Sequence, residues 1–212
     1  MDMYIEHSLP IDIEKFGFTE REKNSKGILA NRCGRDFLYY ALHYYFPEEF
    51  NPTMCGPVEI DRRRLFGVPM PSWLVWTCLP FYKIPKLLSE KGLVLKINGL
   101  QINSFLAFVK SMLLPKFLTA DEIFGVVETS INSKSVCGVD ITIGLGGLID
   151  HVLFVLGYDV ENLYVIDTHV VEEIQYEKLT AENDPRFFMK LPKGVVSRMW
   201  SRFGRVWVIE RI

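Results

Sequence analysis

Two apolar runs, Val152-Leu153-Phe154-Val155-Leu156 and Leu163-Tyr164-Val165-Ile166, constrain this chain more than any other feature. They are short, rich in β-branched and aromatic residues, and separated by the turn-forming Asp159, Glu161 and Asn162. That composition predicts two strands joined by a tight connection. His151 opens the first strand and Asp167 closes the second. In an antiparallel hairpin the start of one strand lies beside the end of the other, so the two are predicted to be neighbours at one rim of a sheet. A carboxylate so placed holds an imidazole in one tautomer and stabilises its charged form.

A second stretch, Asn31 to Phe46, supplies a sulfur. After Cys33-Gly34 the apolar residues Phe37, Leu38, Ala41, Leu42 and Tyr45 fall at the spacing of a helix that buries one face, and Pro47 ends it. Cys33 is therefore predicted at the helix N-terminus, where free N–H groups and the macrodipole favour the thiolate. Nucleophile, base and orienting acid are then all present. Cys55 in Cys55-Gly56-Pro57 competes as nucleophile, but the following Val58 to Arg64 offers a poorer buried helix face. Cys137 precedes β-branched residues with no helix to activate it, and Cys78 lies in an apolar run. His169 competes as the base, whereas His43 is expected to decorate the helix and His7 belongs to a terminal segment. Asp150, next to His151, is predicted on the other face of a regular strand.

Elsewhere the pattern is plainer. Thr19 to Gly27 reads as a surface loop, and Pro47 to Pro71 is too rich in breakers for more than a short helix around Ile60 to Phe66. Helices are predicted from Trp73 towards Thr77, from Ile84 to a Gly92 cap, and from Ile102 to Leu114. Strands are predicted over Val94 to Ile97, Val126 to Ile131 and Val139 to Ile143, with a turn at Asn98-Gly99. Thr119 to Glu122 has the form of a capping box, and Gly144 to Gly147 reads as a flexible loop beside His151. Val195 to Ile209 is β-rich, and its interleaved basic and aromatic residues read as a core strand with a solvated face. Helices first and mostly antiparallel strands afterwards predict an α+β fold, taken as one domain over residues 1–212.

With 49% hydrophobic and 13% aromatic residues, the chain has material for a large core. A net charge of −2 argues against nucleic acid or an anionic membrane as partner. Four cysteines in a chain this long argue against a disulfide scaffold, and the lack of a C-x-x-C pair against a structural zinc site. No run approaches the roughly 18 apolar residues of a membrane span. Asp2, Glu6 and Asp12 replace the basic and apolar parts of a signal peptide, so a cytoplasmic location is expected.

Cys33-Gly34 heading an aromatic helix, with Asp150 to Asp159 followed by Leu163 to Asp167, resembles the papain-like cysteine peptidases. The nearest likeness is to the bacteriocin-leader-processing branch and its stand-alone relatives. The resemblance covers about residues 24–46 and 120–170, and implies a papain-like fold with a nucleophile helix packed on an antiparallel sheet. It implies Cys33 as nucleophile, His151 as general base and Asp167 as the orienting carboxylate, no cofactor or metal, and a peptide or protein substrate. The family places Pro after Cys-Gly, where this chain has Arg35. It also uses a Gln before the Cys as oxyanion donor; no Gln precedes Cys33, leaving Asn31 or Asn24 with the Cys33 backbone N–H as candidates. A thiol acyltransferase of transglutaminase type would use the same residues, and a non-catalytic peptide-binding domain would keep only the groove. Substrate specificity and oligomeric state are not encoded in any motif.

Overall fold

The computed structural model describes residues 5–12, 16, 33–49, 64–65, 68–69, 84–104, 106–107, 110–111, 118–143, 149–167, 176–179, 187–199 and 205–212. These form a mixed α+β fold around one large sheet. Its strands are β1 (His7–Ser8), β4 (Leu93–Ile97), β5 (Leu100–Gln101), β6 (Val136–Ile143), β7 (Ile149–Tyr158), β8 (Asn162–Asp167), β9 (Glu177–Lys178), β10 (Phe187–Pro192) and β11 (Val206–Arg211). A separate ribbon pairs β2 (Arg64–Leu65) with β3 (Val68–Pro69), so 64 and 65 are extended where the sequence suggests a short helix. The large sheet runs β5-β4-β11-β6-β7-β8-β10-β9, with β1 added beside β7. Every pairing among the described residues is antiparallel.

The register aligns one row across six strands: Ile97, Trp207, Gly138, Phe154, Ile166 and Phe188. Directly opposed residues of an antiparallel sheet share a face, and this row is the floor on which α1 (Cys33–Tyr45) lies. The Phe37 ring stands 6.0 Å from the rings of both Phe154 and Trp207. Gly138 makes room for it, since a Cβ there would come within 2.7 Å of that ring. The helix is more deeply sunk than its spacing predicts. Tyr39 and Tyr40 are buried along with Phe37, Leu38, Ala41 and Leu42. His43 is buried too rather than surface-facing, its ring 5.1 Å from that of Phe16. The reason is tertiary: Phe16 covers the side the spacing leaves open. Tyr45 ties the far end of the helix to the sheet, its hydroxyl donating to the Ile209 carbonyl at 2.7 Å and accepting from the Val136 N–H at 3.3 Å.

α2 (Ile84–Glu90) ends as expected, with Gly92 at φ 67°. Asn98 and Gly99, at φ 49° and 79°, make the hairpin turn between β4 and β5. The helix expected from Ile102 begins later, because Ile102 donates its N–H to Leu95 and extends the strand pairing. Leu106, Ala107, Lys110 and Ser111 are helical, and the Ser104 hydroxyl accepts from the Ala107 N–H. The larger correction concerns Val126 to Ile131, which belongs to α3 (Ala120–Asn132) and not to a strand. The Thr119–Glu122 capping box is complete and nucleates this helix. Ile123, Val127 and Ile131 recur at helical spacing on its buried side, and that period outweighs the β-branched composition. Since α3 precedes β6, and β4 and β5 belong to the same sheet, helices and strands interleave rather than segregate. α3 packs against β6, β7 and β11. Its Glu128 pairs at 3.0 Å with Lys193 at the start of α4 (Lys193–Arg198), a helix that takes in the first residues of the β-rich Val195 to Ile209 stretch.

Two results of this packing are measurable. A Cβ on Gly157 would lie 2.4 Å from the His7 carbonyl oxygen, where β1 docks on β7. Gly157→Ala is expected to push β1 off and cost about 1–3 kcal/mol. Faster hydrogen exchange of the Leu9 amide, which donates to Leu156, checks it. The second result concerns alkali. Burial raises the Tyr45 phenol from 10 to about 12, against smaller opposing effects of the Val136 N–H and Arg211. Burial first, then the Asp159 hydrogen bond, raises Tyr164 likewise to about 12. Both pKa values are higher in the folded chain, so their contribution is complete below pH 10 and is lost as pH rises through 12. Phenolate absorbance and circular dichroism should change together in that window, and Tyr45→Phe should remove part of the dependence.

Candidate active site

Cys33 is the first residue of α1, as the sequence predicts, and is half-buried. The direction of the helix follows from its contacts. Tyr45 meets the start of β6 at Val136, and Phe37 lies over Gly138 further along that strand. One more turn, about 5 Å, carries Cys33 on towards Asp140 and Val152, which pair with one another. Ile141 and His151 form the next pair, close to where β6 ends and β7 begins. The backbone thus brings the α1 N-terminus and His151 to the same end of the sheet.

Asp167 is the last residue of β8, and its backbone pairs with Phe187 on one side. On the other side Val165 pairs with Val155. Continuing that register sets Asp167 opposite Leu153 and diagonal to His151, at the spacing of about 7–8 Å usual for such positions. The backbone register thus leaves Asp167 one diagonal step from His151 across β7 and β8.

Alternation along β7 adds a condition. Val152 and Phe154 belong to the face that carries α1, and His151, Leu153 and Val155 to the other. His151 is 4% exposed and Cys33 approaches from the opposite side. An approach of Cys33 to His151 therefore has to run round the end of β6 and β7 rather than across the sheet.

The charged groups on the α1 face are ones that sequence reasoning missed. Asp140 and Arg205 are side by side on β6 and beside β11, with the Asp140 N–H donating to the Arg205 carbonyl at 3.0 Å. Their side chains form an ion pair at 3.5 Å, and these are only 4% and 6% exposed. The signal was there in Val139-Asp140-Ile141, a charge inside an apolar strand, and in Arg205 heading Val206-Trp207. Neither residue names its partner without the pairing of β6 with β11. Thr142, two residues on from Asp140, has a buried hydroxyl with no hydrogen-bond partner.

Among the described residues, Cys137 and His7 stand apart from this rim. Burial pushes the Cys137 thiol far above its usual range, which keeps it protonated and inert. His7 is exposed and stacks on Tyr158 at 4.7 Å. Asn24, Asn31, Cys55, Cys78, His169, the Thr19–Gly27 and Gly144–Gly147 loops and the Trp73–Thr77 segment lie outside the described residues. Among the described residues no cluster of three metal-ligating side chains occurs, and no helix is long and apolar enough to cross a membrane. No family model, curated protein or solved structure matches the chain.

Proposed function

We propose that the chain is a papain-like cysteine hydrolase acting on peptide or amide bonds, with Cys33, His151 and Asp167 as its working residues. The observation that carries the reading is positional. A helix that begins at Cys33 points its N-terminus to the end of the sheet where His151 stands and β8 finishes at Asp167.

In this mechanism the Cys33 thiolate attacks the substrate carbonyl carbon, forming a C–S bond. The C–N bond then breaks as the His151 imidazolium gives its proton to the departing amine. Water, deprotonated by His151, attacks the thioester, and the C–S bond breaks to release the acid. Asp167 orients the imidazole throughout. The Cys33 N–H at the helix start is one oxyanion donor; Asn31 or Asn24 supplies the second. An amine in place of water would make the same residues a thiol acyltransferase. The peptide or protein substrate meets them at the rim, and the expected cytoplasmic setting keeps the thiol reduced.

A second reading has its own support. Alternation assigns His151 to the face away from α1, and Asp140 and Arg205 to the face beneath it. On that reading the domain binds peptide at the rim without chemistry. Alkylation with iodoacetamide at about pH 6, followed by peptide mapping, separates the two. Selective modification of Cys33 that His151→Ala abolishes supports the enzyme. Equal, slow modification of every accessible cysteine supports the binding domain.

A further inference from the structure

At the other end of α1, about 18 Å from Cys33 by helix length, lies a cleft of about 580 Å³ that the mechanism above does not use. It is built where the last turn of α1, the turn between α3 and β6, and the end of β11 meet. Tyr44, Ser133, Lys134, Ser135, Glu210 and Arg211 line it. Its size falls in the range of small-molecule sites.

The charges in this cleft do not cancel. Glu210 is taken up by Lys96 on β4. Among the described residues no carboxylate pairs with Lys134 or Arg211. Arg211 lies over the Tyr45 ring at 5.7 Å, which fixes the guanidinium without neutralising it. Its strand end is held by the Ile212 N–H donating to the Gly92 carbonyl. Lys134 is the less expected of the two. It sits just past the end of α3 at φ 58°, a left-handed conformation that favours glycine. Its own N–H donates to Ile131, and the Tyr44 hydroxyl donates to its carbonyl at 3.2 Å, so the backbone is locked there. A lysine in this glycine-favoured conformation is a strained choice, and Lys134 lines the cleft. A cation also suits the carbonyl end of α3, so stability and ligand binding must be read separately.

We infer that this cleft binds a phosphoryl group, free or on a small molecule, between Lys134 and Arg211, with the Ser133 and Ser135 hydroxyls and Tyr44 around it. Two cations match a phosphate dianion; a single carboxylate would leave one of them unbalanced. Guanidinium and ammonium donors make charge-assisted bonds to phosphate oxygens, while the Ser133 hydroxyl stays on the Ser130 carbonyl and the Tyr44 hydroxyl on the Lys134 carbonyl. The site is independent of the chemistry at Cys33.

Isothermal titration of the full chain with inorganic phosphate, at constant ionic strength, tests this. Saturable one-to-one binding is expected, weakened roughly tenfold or more by Arg211→Met. Lys134→Gly is the sharper variant. It relieves the left-handed strain, so the fold should melt no lower than wild type while phosphate binding falls by a similar factor. Acetate at the same ionic strength should bind at least tenfold more weakly. The inference is overturned if phosphate does not saturate, if acetate binds equally well, or if both variants bind phosphate as the wild type does.

Discussion

Arg205→Met is expected to destabilise the fold by about 3–5 kcal/mol, the usual cost of leaving one partner of a buried ion pair behind. Asp140 and Arg205 are both nearly inaccessible to water, so neither can recover hydration when the other is removed. Methionine keeps most of the length and volume of arginine, which leaves charge as the main change. The measurement is the urea midpoint at neutral pH with the denaturant slope unchanged. A control separates charge from packing. The double variant Asp140→Leu with Arg205→Met should regain most of the loss, because an apolar pair of similar volume is about as stable as a buried ion pair. A loss below about 1 kcal/mol in the single variant would mean that water reaches the pair and that this part of the sheet is open.

His151→Ala is expected to slow alkylation of Cys33 about tenfold at pH 6. A thiol that shares its proton with an imidazole presents the nucleophilic thiolate at a pH where a thiol without a base does not, so removing the ring slows alkylation. The rate profile is more telling than any single rate. Wild type should show a limb below pH 7 that the variant lacks, and Asp167→Asn should reduce the limb without abolishing it. If the two profiles coincide, the sulfur does not share a proton with His151. The rim is then a binding surface.

The β7–β8 hairpin and the helix start at Cys33 were legible because both depend on neighbours in sequence. Alternating composition, Pro47 and the Asn98-Gly99 turn act over a few residues and need no partner elsewhere. Val126 to Ile131 misled for the same reason. Its β-branched content is local, whereas the capping box and the buried Ile123–Val127–Ile131 stripe decide the helix together. His43 looked solvent-facing because nothing in its own helix announces that Phe16 covers it.

What the residue order determined alone is the inventory: a sulfur at a helix N-terminus, an imidazole near the start of a strand that begins two residues earlier at Ile149, and a carboxylate closing the next. Which sheet face meets α1 was decided only in three dimensions, by Phe37 filling the space above Gly138. The same packing set Asp140 and Arg205 beneath the helix and placed His151 in the rows behind it. The reason is that strand alternation specifies two faces without saying which is covered. The covering helix is chosen by burial, and burial is a property of the assembled chain.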